Sequence, residues 1–392
     1  MERVSLLNIH IYPSSMTHES RLFRETAVIE QMNGFSEIEI VGVRATGLPN
    51  QEQISPTRRI VRLGPQKWDG QAKAISYALW MLNAIWYCCF VRRPQFINCH
   101  SLTTLPIGVL AKLFAGSTVI YDAHELETET NGLQGFRQAL SRWLERALIR
   151  FCDHSIFVSK SIQEWYVNAY GLTDTSVIYN VPAVASAIGK GTALRDQLDI
   201  PAETKIFLYL GALAPGRGIL SILEAFKRMP EFSVVFMGTG SLENQIKDAA
   251  KSLPNVHYVS PVLPADVVET ASSADFGISM IEPTSLSYKF AMPNKLFEYL
   301  AAGLPVLASP IPEQEALVRE HGVGVVTAGL SADDIYVAAQ DIATQGDILR
   351  GGISSALAAY SWKNQSMDIQ LIYNRFNVRS FPGYMRQGLG PK

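Results

Sequence analysis

Two cations stand where a helix start would be expected to repel them. Lys295 lies in residues 288–305, a run that carries its own helix punctuation: Pro293 and Asn294 open it, Gly303 closes it and Pro305 follows. Arg217 follows the small-residue loop at 211–216. It precedes Ile219, Ile222, Leu223 and Phe226, an amphipathic stripe spaced i, i+3, i+4, i+7. The start of a helix is the positive end of its dipole, so a lysine or arginine there is unfavourable on its own. A bound anion reverses that sign, and the free N–H groups of a helix start are a ready phosphate site. Two such starts in one half of the chain predict a diphosphate held by Arg217 and Lys295; the alternative is a pair of solvated surface cations. Gly211 and Gly216 allow a close backbone approach to a ligand. Gly238 and Gly240 form a further glycine turn after an apolar strand, a weak signal alone. Asn294 sits at the helix opening. Glu298, one turn in, is placed to accept hydrogen bonds from sugar hydroxyls beside a phosphate.

The first half of the chain offers three loops after expected strands. The first, residues 12–21, is longer than a connection needs and carries Ser20 and Arg21. The second contains His100 and the third His124. Either histidine reads as a cleft residue or as a structural one satisfied by a neighbour; His124, just past an apolar strand, is the one placed to meet a sugar hydroxyl. Glu125, Glu127 and Glu129 alternate as a solvated face would. The four cysteines, Cys88, Cys89, Cys99 and Cys152, form no C-x-x-C pair and no zinc-spaced Cys/His cluster, so no metal site is expected.

These residues need a frame. A chain of 392 residues is long enough for two domains, and 47% hydrophobic with 18% charged residues supports large cores rather than disorder. A net charge of −2 gives no bulk attraction for nucleic acid, so a phosphate site has to come from local geometry. Short apolar strands alternate with helical periods: residues 4–11, 38–43, 96–99, 118–121, 155–158 and 176–179, then 206–210, 234–237, 256–259, 276–280, 305–308 and 323–326. That alternation predicts an α/β protein with two parallel-sheet domains in tandem and a ligand cleft between them. Residues 180–191 read as the linker and 361–376 as a final helix before a loose tail. The division expected is 1–183, 184–360 and 361–392.

The start of the chain is interrupted by His10 and Pro13 too early for a signal peptide. The longest apolar run, residues 77–91, is short of the roughly 20 residues that cross a bilayer, and reads as a buried helix or else a membrane-facing one. Arg137, Arg142, Arg146 and Arg150 share a helical stretch with Trp143 and leucines, the make-up of an interfacial binder or of a helix packed on its own domain. A cytoplasmic protein is expected, with peripheral contact to the inner face of the membrane.

Taken together, Ser20-Arg21, residues 121–125 (YDAHE), the 211–218 loop, Gly238-Thr239-Gly240, residues 293–299 (PNKLFEY) and 302–306 (AGLPV) resemble the retaining GT-B glycosyltransferases of family 4. The resemblance runs through nearly the whole chain. It implies two Rossmann-like domains with a final helix crossing back to the first. It also implies a nucleotide-diphosphate sugar in the second domain, a glycan or lipid-linked acceptor in the first, and no metal or other cofactor. Arg217 and Lys295 would stabilise the leaving diphosphate, Glu298 would bind the ribose, and His124 would contact the transferred sugar. Two positions depart from the family pattern: Phe290 where a glutamate is common eight residues before Glu298, and Ala212 where an arginine is common. They keep two rivals in view, a GT-B sugar-nucleotide epimerase and a non-catalytic sugar-nucleotide binder.

Overall fold

The structure, a computed structural model, describes residues 6–65, 73–184, 186–376 and 378. The expected tail at 381–392 lies outside those residues. Fourteen strands are described. The first eight are β1 (Leu7–Ile11), β2 (Glu37–Val43), β3 (Gln51–Gln53), β4 (Arg58–Leu63), β5 (Phe96–Cys99), β6 (Thr118–Ala123), β7 (His154–Phe157) and β8 (Thr175–Val177). They form one sheet in the order β3-β4-β2-β1-β5-β6-β7-β8, parallel except for the β3/β4 pair. The other six are β9 (Lys205–Leu210), β10 (Phe232–Met237), β11 (Val256–Val259), β12 (Phe276–Ser279), β13 (Val306–Ala308) and β14 (Gly324–Val326). Their all-parallel sheet runs β11-β10-β9-β12-β13-β14.

The central strands of each sheet are covered by helices on both faces, which is why stretches such as LNIHI and KIFLYL are apolar almost throughout rather than alternating. Each sheet reverses its strand order once, between β1 and β5 and between β9 and β12. Loops that leave the carboxyl ends of those strands splay apart and open a crevice.

The β3/β4 hairpin has no counterpart in the sequence reading, because its Gln- and Arg-rich strands lack an apolar run. The described residues of 180–191 form no regular element, and a short helix, Ala193–Leu198, follows. The final helix, Trp362–Arg375, crosses back to the first sheet, where Ile369, Ile372 and Tyr373 complete a core with Val28, Ile29, Phe96 and Ile120. Tyr373 Oη donates to Asn98 Oδ1 at 2.9 Å, and Gln365 Oε1 accepts from the Tyr179 N–H at 2.7 Å.

One expectation is corrected here. The apolar run at 77–91 belongs to a continuous helical segment, Lys73–Trp86 passing into a π-helical turn Tyr87–Arg92, and at 20 residues it is long and apolar enough to cross a membrane. Nor is it buried all round. Ser76, Trp80, Ala84 and Cys88, four apart, form one inward stripe, and Trp80 Nε1 donates to the Gly42 carbonyl at 3.0 Å. The opposite face is exposed, so the helix lies along the domain as an amphipathic one.

Candidate active site

The Asn294–Ala301 helix starts after Pro293, whose extended backbone (φ −76°, ψ 141°) makes no side-chain cap. Its first turn lines a cavity of about 540 Å³ at the carboxyl ends of β9, β10 and β11. Gly211, Arg217, Gly238, Asn294, Lys295 and Glu298 line it, and Ser20 joins them from the first domain. Lys295 is 8% exposed and its Nζ has no hydrogen-bond partner. The ammonium sits 3.7 Å from the centre of the Tyr209 ring. Burial, then the charge of Arg217, pushes the Lys295 pKa well below the usual lysine range, against a smaller opposing pull from Glu298. Arg217, just before the Ile219–Phe226 helix, stacks 4.5 Å over the Tyr288 ring, and its buried Nε is also unpartnered. Burial raises the Glu298 pKa, against the pull of Lys295 and Arg24.

The four glycines divide. Gly211 (φ +110°) lines the cavity, and a Cβ there would stand 3.9 Å from Lys295 Nζ. Gly238 lines it too, but its lack of a side chain is needed for packing: a Cβ would fall 1.8 Å from the Gly211 carbonyl. Gly216 and Gly240 lie outside the lining. A Cβ on Gly216 would meet the Tyr288 ring at 2.8 Å, and one on Gly240 the Leu213 carbonyl at 2.3 Å. They shape the loops that carry Arg217 and Gly238.

In the first domain, β1, β5 and β6 bring together a buried polar chain that apolar strands hide. His10 Nδ1 lies 2.9 Å from His100 Nε2, and His100 Nδ1 lies 2.9 Å from Asp122 Oδ2. Arg21 is not in a loop; it occupies the first turn of the Ser20–Gln31 helix, buried, and forks onto Asp122 (Nη2–Oδ1 2.9 Å, Nε–Oδ2 3.3 Å). It also donates to the Ile178 carbonyl at 2.6 Å and pairs with Glu25 at 2.9 Å. Burial alone would raise the Asp122 pKa, but Arg21 and the two neighbouring histidines hold it well below the carboxylate range. Glu25 goes the other way, raised by burial and by the Asp122 charge despite Arg21. Burial lowers the pKa of His10 and of His100, which favours the neutral ring in each. That fixes a consistent set of protons: His100 Nδ1–H donates to Asp122, and His10 Nδ1–H donates to His100 Nε2. His124 Nε2 closes the set at 3.3 Å from Asp122 Oδ2, and its ring packs 5.5 Å from Tyr12.

His100 is thus sealed inside the domain, whereas His124 reaches the cleft. Two smaller cavities, of about 250 and 340 Å³, adjoin the first. One has His124 on one wall and Arg217 on the other; both also share Asn294. The cleft therefore brings His124, Ser20, Arg217 and the Asn294–Ala301 helix start together across the two domains. Sequence reasoning missed Arg24. One turn after Ser20, it hydrogen-bonds Asn180 and lies over Trp362, and its charge reaches Glu298. The i, i+4 spacing from Ser20 was the available signal. The acids at 125–129 form a solvated face only at Glu125, which is exposed; Glu129 is buried against Arg142, and burial lifts the Glu127 pKa to about 8.

Two family models match the chain, "Glycosyltransferase Family 4" over residues 36–181 and "Glycosyl transferases group 1" over residues 204–345. This chain is a GT-B glycosyltransferase of the family 4 group. Its sequence is similar to the chitobiosyldiphosphodolichol beta-mannosyltransferase of Candida glabrata, 22% identical across 91% of this chain and 87% of the relative. It is also similar to the phosphatidyl-myo-inositol mannosyltransferase of Mycobacterium leprae, 24% identical across 71% and 72%. Its fold is similar to sucrose-phosphate synthase from Thermosynechococcus elongatus, with a TM-score of 0.77 at 16% identity over 95% and 99% of the chains. Anabaena HepE in complex with UDP-glucose matches at TM-score 0.68, 15% identity, over 95% and 99%.

Among its described residues, this glycosyltransferase has one group spaced as metal ligands, His100, Asp122 and His124, with their atoms within 4.8 Å of one another. Arg21 forks onto both oxygens of Asp122, so a fixed cation already holds the carboxylate that a metal would need. The transferase's other concentration of positive charge, Arg217 with Lys295, faces the 540 Å³ cavity without a carboxylate on either.

Proposed function

We propose that this glycosyltransferase moves a sugar from a nucleotide-diphosphate sugar to a glycan or lipid-linked acceptor, with retention of configuration and without a metal. The reading rests on one observation: Lys295 is buried, unpartnered and next to Arg217 in the 540 Å³ cavity. A diphosphate supplies the missing anion. As the bond to the sugar breaks, negative charge builds on that diphosphate, and two fixed cations with helix-start N–H groups stabilise it most at that moment. Glu298 is the one carboxylate lining the cavity, and we assign it to the ribose, with the glycines of the 211 and 238 loops alongside the nucleotide. His124 meets the transferred sugar from the opposite wall. No carboxylate besides Glu298 lines the 540 Å³ cavity, and Glu125 lines the adjoining one beside His124. We assign no enzyme nucleophile, so that the acceptor attacks from the face the diphosphate leaves and a phosphate oxygen takes its proton. The relatives named for a dolichol-linked and a phosphatidylinositol acceptor support a lipid-linked acceptor, and we place the reaction in glycoconjugate or polysaccharide synthesis on the cytoplasmic side.

The test is turnover in EDTA with UDP-, GDP-, ADP- and dTDP-sugars and lipid-linked acceptors, read as free nucleoside diphosphate, with proton NMR of the product's anomeric centre. Diphosphate release that survives chelation and a product with the donor's configuration are expected. Activity lost to EDTA and restored by magnesium or manganese overturns the metal-free scheme. Because three relatives carry "beta-mannosyltransferase" in their names, an inverted product is the sharpest threat to retention.

A further inference from the structure

We infer that the outer face of the first domain docks onto an anionic lipid surface, with an aromatic ridge entering the headgroup layer. Three neighbouring helical segments build this face: Lys73–Trp86 with its π-helical turn, Leu105–Ala115 and Gly135–Leu148. Trp86 is 62% exposed and stacks 5.0 Å from exposed Phe90, which lies 5.5 Å from exposed Phe114 at the end of the second segment. Along the third segment, Phe136 (80% exposed), Leu140 and Trp143 (65% exposed) repeat at i, i+4, i+7. The first two segments bury their opposite faces, and the third buries only Glu145 and leaves its other residues exposed or half-buried.

Charge selects the occupant. Residues 73–93, 105–115 and 135–150 carry eight lysines and arginines and a single acid, in a chain whose net charge is −2. Arg92, Lys112 and Arg142 are paired with Glu37 and Glu39, Asp153 and Glu129 from neighbouring elements, which leaves five of the eight for the surface. The single acid, Glu145, is buried and accepts from the hydroxyls of Tyr121, Tyr166 and Tyr170 at 3.0, 2.6 and 2.9 Å. Arg137, Arg146 and Arg150 are exposed and meet no carboxylate among the described residues. An interfacial helix binds through an apolar face set in the acyl boundary and basic residues against anionic headgroups, which is the arrangement here. A second copy of the chain would set this basic face against an identical one, which like charges oppose. The face also reaches the cleft. The Gly135–Leu148 helix follows directly on the loop that begins at His124, and within that loop the Glu129 carbonyl accepts the Ser287 N–H of the second domain at 3.3 Å. A lipid-held acceptor would thus arrive at the lip of the site. This inference is independent of the donor, the stereochemistry and the metal.

The experiment is co-sedimentation of the full chain with phosphatidylglycerol-containing vesicles and with pure phosphatidylcholine vesicles, at low and high salt. Binding to the anionic vesicles that falls as salt rises is expected, because exposed charges are screened. Reversal of an exposed cation, Arg137→Glu or Arg146→Glu, is expected to weaken vesicle binding on the order of tenfold each, the scale of one basic residue at an anionic surface. Trp86→Glu should weaken it comparably. All three positions are exposed, so circular dichroism melts should match the wild type. A protein that stays in the supernatant with anionic vesicles at low salt overturns the inference. So does equal binding to both vesicle types, or a dimer in sedimentation velocity that Trp86→Glu dissolves.

Discussion

The two domains each bury a cation near the cleft, and they treat it in opposite ways. Arg21 in the first domain is fully met: Asp122 takes its fork, Glu25 its flank and the Ile178 carbonyl its third side. Lys295 in the second lies over an aromatic face and feels the charge of Glu298, but its Nζ has no hydrogen-bond partner. Taking a charge out of water costs several kcal/mol unless partners compensate it. The first domain has supplied those partners from its own chain; on the proposed reading, the second takes them from the substrate. One arrangement sets a geometry, and the other is where the proposed diphosphate would bind.

The largest effect should come from breaking the completed arrangement. Arg21→Ala strands a buried Asp122 and Glu25, and removing one partner of a buried pair typically costs about 3–5 kcal/mol of stability. Urea unfolding followed by circular dichroism measures it, and Arg21→Lys should recover only part, since an ammonium cannot fork onto both oxygens. A loss below about 1 kcal/mol, the scale of an exposed pair, would mean that the network is no scaffold.

The incomplete arrangement should fail differently. If Arg217 holds the leaving diphosphate as proposed, Arg217→Ala should lower turnover about a hundredfold or more, roughly 3 kcal/mol in the barrier. Its melting temperature should barely move, because Arg217 holds no carboxylate in the empty protein. If Arg217→Ala unfolds as readily as Arg21→Ala while turnover per folded molecule is kept, the contrast between the domains collapses.

How far the sequence reveals these two arrangements differs for a physical reason. Arg217 and Lys295 stand out because a helix start and its dipole are local, so a misplaced cation shows within one turn of sequence. The strands are legible for the same reason: a buried parallel strand is a short apolar run, and β5 and β11 match their expected bounds. The network in the first domain is not local. His10 and Asn98 sit in apolar strands, and only the parallel register that aligns His10 with Asn98 makes them neighbours. Likewise, the burial of Glu129 depends on Arg142 a full loop away, and that of Glu127 on the packing around Leu102. The length of the exposed helix was missed because its ends are polar, and helix boundaries are poorly marked when no cap residue stands there.

The subtlest consequence of the contrast is a proton. In the empty protein, burial and Arg217 depress the Lys295 pKa, so this lysine gives up its proton at a pH where a free lysine keeps it. A diphosphate brings negative charge to the site and lifts that pKa again. Between the two values, binding must draw up to about one proton from solution, and affinity must fall as pH rises through that window. The stability of the empty protein should change in the opposite sense. A lysine whose folded pKa is depressed binds fewer protons folded than unfolded, so stability rises with pH across the window, and bound nucleotide flattens that slope. Calorimetric titration of nucleoside diphosphate in two buffers of different ionisation enthalpy reads the uptake directly. Lys295→Met should abolish it while Arg217, an arginine that stays charged, still attracts the ligand. Binding with no uptake at any pH from neutral upward would show that Lys295 is already fully charged in the empty site. The second domain would then be tolerating its unpaired cation by some means other than withholding the proton.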